Sequence, residues 1–420
     1  MISSMYPPDH EGGAELSAQA FTDGLRARGY DVQVLTRRWR PVFQGVREEH
    51  PHVHRILEGA RLFQTMPNWL AQKWDTVMAY KRATTIAIPN LPRVREFLEG
   101  REFDVVFVFE SQGLGLLVVE PLVERGVPIL WQISSHALKK VLAPPRLLQL
   151  SQNLTCPALW RREHALPYDH MVFVSQFMKD HYARHGIRPR HSYVLRRGIE
   201  FEPPAQVCAE RTDPPNFVLV GRIARVKGVH VVIEAAGLLA KMRPGPWTLD
   251  VYGGVSPGDE LYADRVQRRA RELGIGDRVV FHGQRPRPEV LERIRGAAGM
   301  IISSIYEEPF ARTVIEGLGT GAPLIITRSG AFAEIFEGTT CGLLYERENP
   351  EELARHMAKL LDDPEEGRRM AQDGLDLART KYRLDPLLDE AEKILHHVVQ
   401  NHRLERQKPS SPELESVIVK

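Results

Sequence analysis

The stretch Ile301–Ile326, IISSIYEEPFARTVIEGLGTGAPLII, leaves this chain little choice of fold. Two short, continuous apolar runs flank a segment of helical pattern, with a Gly-rich turn before the second run. Apolar runs of this kind are strands buried on both faces, as in a parallel sheet covered by helices on either side. Glu307, Glu308 and Pro309 end the first strand and stand where a helix begins. Carboxylates suit the positive end of a helix dipole, and Pro lacks the N–H that the first turn cannot use. Thr313–Leu318 is helical in pattern, and Gly319 and Gly321 are expected to stop it. Glu308 therefore precedes the helix and Glu316 lies about two turns along it. Backbone N–H groups at such a helix start can hold phosphate while the carboxylates accept sugar hydroxyls. Taken alone, the stretch is equally a surface helix with two solvated glutamates, so the rest of the chain has to decide.

At 420 residues the chain is too long for one core, which predicts two domains. Its 43% apolar and 26% charged residues are those of an ordinary globular protein, and a formal charge of +2 argues against bulk nucleic-acid binding. The charge is uneven: residues 1–200 carry 26 Lys/Arg against 20 Asp/Glu, and the remainder 30 against 34. A basic first half suits an acidic substrate or an anionic surface, or is ordinary surface variation. Cys156, Cys208 and Cys341 are far apart without metal-ligand spacing, as in a reduced, cytoplasmic compartment. Met1–Tyr6 lacks the basic head and apolar block of a signal peptide, and no run approaches the length of a membrane span.

The chain opens with a short strand-like piece, a Gly12-Gly13 loop, a helix over Ala14–Arg28 and a strand over Asp31–Thr36. The first strand is short, so either the natural start lies upstream or the strand itself is trimmed. Residues 37–82 are basic and aromatic, with nine Lys/Arg against four Asp/Glu. Such a segment can lie on an anionic membrane or pack as helices on its own domain. His50, His52 and His54 alternate, which in a strand places them on one face, without the further ligands a metal needs. Phe103–Phe109, Val127–Ile133, Met171–Val174 and Tyr193–Leu195 read as successive strands with helices between. Gly12, Gly13, Glu110, Ser134, His136, Ser175 and Arg197 fall at their carboxyl ends, where doubly wound α/β domains bind ligands.

Residues 199–215 are Pro-rich and unpatterned, which reads as a linker. The expected organisation is an N-terminal Rossmann-like domain over 1–198, a linker over 199–215 and a second Rossmann-like domain over 216–380. A C-terminal helix over 381–402 returns towards the first domain, followed by a disordered tail over 403–420. In the second domain Arg222 and Lys227 follow the first strand, Phe217–Val220, and together would neutralise a diphosphate without metal. Gly317-x-Gly319-x-x-Ala322 matches a dinucleotide fingerprint in letters only, since a helix precedes it and a strand follows. No Asp-x-Asp occurs, so the usual carboxylate grip on a divalent cation beside a nucleotide sugar is absent.

Gly221-Arg222 with Lys227-Gly228, VVFHG at 279–283, EEPFARTVIEGLGTGAP at 307–323 and the Gly12-Gly13-Ala14-Glu15 loop resemble the retaining glycosyltransferases of family 4. The resemblance covers nearly the whole chain, is strongest over 217–345 and is weak over 37–100. It implies the GT-B fold, with two Rossmann-like domains facing a cleft, a nucleotide-diphosphate-sugar donor in the second domain and an acceptor held mainly by the first. Neither a cofactor nor a divalent metal is implied. By motif position Glu308 would contact the donor sugar and Glu316 the ribose, while Arg222 and Lys227 stabilise the diphosphate leaving group. Backbone amides through Pro309, Phe310, Ala311, Arg312 and Thr313 would assist, Gly12-Gly13 would let the chain approach the phosphates, and the base would lie near His282-Gly283. His136 is the catalytic candidate of the first domain, and Glu110, Ser134 and Arg197 are acceptor candidates.

The chain departs from the family's pattern with Ser134 where a His is common, Arg197 where Asn is usual, Ala311 for Gly and Gly317 for Ala. His136 either substitutes for the missing His or is structural. The expected activity is metal-independent, retaining transfer of a sugar to a glycan, glycolipid or small-molecule hydroxyl, in glycan or cell-envelope polysaccharide biosynthesis. The protein would be cytoplasmic, with peripheral contact to an anionic membrane. The alternatives are a nucleotide-sugar epimerase of the same fold and a non-catalytic sugar-nucleotide-binding subunit.

Overall fold

A computed structural model describes residues 1–10, 13–39, 47, 49–59, 85–111, 113–144, 157–208, 211–256, 258–310 and 312–407, with Glu110 described by its backbone alone. The chain forms two compact units, Met1–Arg196 with Asp385–Lys420, and Arg197–Leu384.

The first unit is built on a seven-stranded sheet: β1 (Ile2–Ser3), β2 (Val34–Arg37), β3 (Val53–Leu57), β4 (Val106–Glu110), β5 (Ile129–Ile133), β6 (His170–Phe173) and β7 (His191–Val194). The order is β3-β2-β1-β4-β5-β6-β7 and every pairing is parallel. The order reverses between β1 and β4, which is where such a sheet opens a crevice. Helix Gly13–Ala27 leaves the end of β1, burying Ala18, Phe21 and Leu25 at helical spacing. The long helix Leu384–Gln407 also belongs here, from Asp385 on. Arg28 pairs with Asp389 on it at 2.6 Å, and a side chain at Gly24 would collide with Leu388.

Several local expectations shift. β3 begins at Val53, so only His54 of the three alternating histidines lies in a strand, where it meets Gln33 at 2.7 Å. After Gly113 and Gly115, where the alternation of strands and helices puts a helix between β4 and β5, the structure has a 3-10 turn, Leu116–Val119, and one short helix, Glu120–Glu124. Both glycines have positive φ, 86° and 77°, so the chain turns where a helix would have to start. The last helix continues to Gln407, past the residue 402 at which the polar composition suggests an end. Residues 408–420, Cys156 and the basic-aromatic residues 60–84 lie outside the described residues.

The second unit repeats the plan with six parallel strands: β8 (Asn216–Val220), β9 (Thr248–Tyr252), β10 (Val279–Gly283), β11 (Gly299–Ile302), β12 (Leu324–Thr327) and β13 (Gly342–Tyr345), in the order β10-β9-β8-β11-β12-β13. The reversal here falls between β8 and β11. The strands are apolar throughout because each face has its own core. Phe217, Leu219, Ile301 and Ile325 pack on one side with helices Val229–Met242 and Pro350–Asp362. Val218, Met300, Ile302, Leu324 and Ile326 pack on the other with helix Arg312–Thr320. Full burial of each such side chain is worth about 1.5–3 kcal/mol, so the sheet is the most expensive part of this unit to disturb. Among the described residues, no helix is long and apolar enough to cross a membrane.

Candidate functional site

The opening stretch is strand β11, a loop, helix Arg312–Thr320 and strand β12. Glu307, Glu308 and Pro309 lie in the loop, and the helix starts three residues after Pro309. Gly319 does not stop the helix; it sits inside it, as does Gly317, where an added Cβ would lie 2.7 Å from Leu324 and 2.8 Å from Met300. Gly317 is therefore a close-packing position, and Gly321, at φ 76°, ends the helix.

The ends of β8 and β11, the two strands at the reversal, share a pocket. Gly221, Arg222 and Lys227 line it from the β8 side, Ser303, Ser304 and Glu308 from the β11 side, and Thr313 from the helix. Lys227 reaches it because the chain after β8 makes a 3-10 turn, Arg225–Lys227, ending at Gly228. Gly228 has φ 66°, and a Cβ there would stand 2.0 Å from the Ser303 carbonyl oxygen. The hydroxyl of Ser303 donates to the Lys227 carbonyl at 2.8 Å, and the Ile305 N–H donates to that of Val226 at 3.0 Å. The two loops are thereby locked together at backbone level.

Glu308 is buried at 8% exposure. Its Oε1 accepts from Lys227 Nζ at 2.5 Å and from Ser304 Oγ at 2.6 Å. Its Oε2 accepts no hydrogen bond from any described residue. The backbone of Glu308 is fixed as well: its carbonyl accepts from Ala331 N at 2.8 Å, and a Cβ on Gly330 would lie 2.3 Å from that same oxygen. Arg222 is exposed at the rim, with Nη1 3.3 Å from Ser256 Oγ. One cation is thus committed to a carboxylate and the other stands open to a ligand.

Glu316 repeats the pattern one step away. Its Oε1 accepts from Arg312 Nε at 2.9 Å and pairs with Arg287 at 2.8 Å, while its Oε2 accepts nothing from a described residue. Both arginines also hold Glu200 Oε2, Arg312 at 2.5 Å and Arg287 at 2.8 Å. Burial works to lower the Arg312 pKa, but Glu200 and Glu316 outweigh it and hold the guanidinium above its ordinary range. The Arg312 side chain therefore serves the two carboxylates rather than pointing outward as a free phosphate ligand. Glu200 and Arg287 carried no sequence signal. Glu200 stands in the unpatterned stretch after β7, and Arg287 opens helix Arg287–Arg295 in a run of arginines.

At the end of β10, the His282 ring stacks on Tyr252 with centroids 4.4 Å apart, and its Nε2 lies 2.8 Å from Asp250 Oδ1. Asp250 is also held by Asn216 and Arg293, so the His282 side chain belongs to a buried network. Gly283, at φ 67°, is held as well, its carbonyl accepting from Gly253 N at 2.8 Å.

In the first unit, Gly13 opens the helix after β1 and Glu110 ends β4, on the two sides of the reversal. Gly12, Ala311 and the side chain of Glu110 lie outside the described residues. Ser134 follows β5, and His136 caps the short helix Ala137–Leu142 with its ring against His181, centroids 4.5 Å apart. Lys139 Nζ stands 2.8 Å from His181 Nε2 and 3.3 Å from that of His185. Burial and the Lys139 charge push His181 down to about 4, so it is neutral at pH 7 and accepts from Lys139. His136 thus belongs to a cluster of imidazoles. Arg197 is buried just past β7, at the start of the second unit. Among the described residues, no group of three or more His, Cys, Asp or Glu side chains is placed to hold a metal ion.

The profile described as Glycosyltransferase Family 4 matches residues 11–202, and that of Glycosyl transferases group 1 matches 204–376. A D-inositol 3-phosphate glycosyltransferase of Corynebacterium glutamicum is 33% identical over 162 residues, 38% of each chain. One from Catenulispora acidiphila is 28% identical over 297 residues, 65% of this chain and 69% of that one. The chain thus spans well under half the length of the first of these relatives. Among solved structures, sucrose-phosphate synthase of Thermosynechococcus elongatus superposes with a TM-score of 0.69 at 20% identity, covering 95% of this chain and 98% of that one. HepE of Anabaena, solved in complex with UDP, superposes at 0.67 with 17% identity, covering 94% and 98%. Two adjoining profiles that together run from residue 11 to 376, on two Rossmann-like units, identify the chain: it belongs to the family 4 glycosyltransferases of GT-B fold.

Proposed function

We propose that this protein transfers a sugar from a nucleotide-diphosphate sugar to an acceptor hydroxyl, with retention at the anomeric carbon and without a divalent metal. The observation that carries this reading is the pocket between the ends of β8 and β11, where Arg222, Lys227 and Glu308 converge. The donor diphosphate would lie there. Arg222, exposed and uncommitted to a carboxylate, takes phosphate oxygens in its fork. Lys227, already 2.5 Å from Glu308, exchanges part of that pairing for the diphosphate as the sugar engages the carboxylate. Glu308 then offers its open Oε2 to a hydroxyl of the transferred sugar, and Glu316 offers its own to the ribose. Backbone amides near Thr313 and the start of its helix add to the grip.

In the reaction the bond from the anomeric carbon to the diphosphate oxygen breaks, and a bond to the acceptor oxygen forms on the same face. The acceptor's proton passes to the departing diphosphate. Fixed cations act where negative charge grows, which is the largest contribution a site of this kind can make. The acceptor would lie on the first unit, near His136, Ser134 and Glu110. The basic balance of residues 1–200 and the phosphorylated acceptor named for the curated relatives both favour an anionic one. A cytoplasmic protein touching an anionic membrane through residues 37–82 fits the same charge; co-sedimentation with anionic vesicles tests it, and equal binding to neutral vesicles contradicts it.

The test is release of nucleoside diphosphate from UDP-, GDP- and ADP-sugars in EDTA, with and without an acceptor panel that includes inositol phosphates. Acceptor-dependent release that is lost in Arg222→Ala and Glu308→Gln supports the reading. Turnover of the donor without acceptor would instead point to an epimerase, and binding without turnover to a non-catalytic subunit.

A further inference from the structure

Glu200, Arg312, Glu316 and Arg287 close a ring of alternating charge in the second unit: each guanidinium touches both carboxylates, at 2.5–2.9 Å. We infer that Arg312, restrained by Glu200, is a positioning residue that keeps one oxygen of Glu316 open for the ribose of the donor nucleotide. This rests on the donor reading above.

A guanidinium beside a single carboxylate prefers the two-pronged fork, which occupies both oxygens. Arg312 is one turn before Glu316 on the same helix and is 8% exposed, so such a fork is within its reach. It does not form. Nη2 of Arg312 is held by Glu200, only Nε reaches Glu316, and both cations that touch Glu316 converge on Oε1. Oε2 is left without a donor from any described residue.

The arrangement leaves a cost unrecovered. Nη1 of Arg312 is buried without a hydrogen-bond partner among the described residues. A buried N–H left unpaired is unfavourable and uncommon. A contact network selected for stability alone would set the Nε/Nη2 edge on both oxygens of Glu316. Splitting the guanidinium between two carboxylates is instead what a carboxylate needs if it must accept hydroxyls from a ligand. Glu200 is also fixed locally, since Ile199 beside it donates its N–H to the Tyr382 carbonyl at 2.8 Å.

The consequence is read in the affinity ratio between a nucleotide and its form lacking the ribose hydroxyls. Calorimetric titration of the full chain with UDP, GDP and ADP, and with their 2′,3′-dideoxy forms, gives that ratio for the nucleotide that binds. In the wild type, loss of hydroxyls that meet a carboxylate should weaken binding about 10–100-fold. In Glu200→Ala, Arg312 is free to fork onto Glu316, and the ratio should fall below about threefold; Arg312→Gln, which lets Glu316 swing, should do the same. A structural lesion would weaken both forms equally and leave the ratio unchanged. If Arg312→Gln fails to fold, Glu200→Ala carries the test alone, since its side chain is 21% exposed. A ratio in Glu200→Ala equal to or above the wild-type value overturns the proposal. Binding without discrimination in the wild type removes Glu316 from the ribose and overturns it while the donor reading stands. Absence of binding by all three diphosphates overturns both.

Discussion

The two units share one plan and differ in how their strand ends are furnished. Both are parallel sheets whose order reverses once, at β1/β4 in the first and β8/β11 in the second. At β8/β11 the side chains are carboxylates committed to cations, Glu308 to Lys227 and Glu316 to Arg312 and Arg287. The first unit holds thirteen of the sixteen histidines, and the second only His230, His282 and His356. The fold therefore sets where a ligand can lie, and the side chains set which ligand. Permanent charge pairs suit a diphosphate that must be held at every pH. Buried imidazoles such as His170 and His181, both pushed down to about 4, make the first unit responsive to protons at acidic pH instead.

The comparison is broken most severely at Lys227. Lys227→Ala removes a cation proposed for the diphosphate and strands a buried carboxylate, so turnover should drop by about 10³-fold, the effect of losing one fixed electrostatic partner. Steady-state kinetics on the donor checks this, and a loss below tenfold would mean that Lys227 belongs to Glu308 alone. Gly330→Ala is next. A Cβ there would stand 2.3–2.4 Å from the Glu308 backbone at φ 57°, and the second unit should lose about 2–4 kcal/mol in denaturant titration.

The pH response should separate the units. His170 on β6 is pushed down to about 4 by burial and by His191, His397, His402 and Arg190 around it. The unfolded chain, with an ordinary value of 6.5, binds the extra proton first. Stability from this group is therefore complete above about pH 6.5 and is lost as pH falls towards 4, in total about 1–3 kcal/mol. Hydrogen exchange at pH 7 and 5 should show protection falling in β6 and β7 before β8 and β11; the reverse order would contradict the assignment. Smallest is Ser175→Ala, which removes the cap that accepts from Met178 N at 3.1 Å and should cost the first unit about 1 kcal/mol.

Much of this was legible before any coordinates, for physical reasons. β8, β11 and β12 are continuous apolar runs because both faces of the second sheet are covered, and such runs announce themselves. Glu308, Arg222 and Lys227 stand at strand ends, and the structure brings them to one pocket. β13 passed unnoticed: GLLY starts with glycine and is too short to show a period. The link from Glu200 to Arg312 spans 112 residues, and nothing local marks either partner. Gly319, inside helix Arg312–Thr320, reads as a stop because letters do not reveal that Ile199 and Phe201 press against that face.

The central claim is that the donor diphosphate lies between β8 and β11. Hydrogen exchange with and without saturating UDP, GDP or ADP tests it without altering a residue. The account predicts new protection at 221–228 and 303–313, at least tenfold for amides that close on phosphate. Protection confined to the first unit, or none in these two segments while the nucleotide is bound, would contradict it.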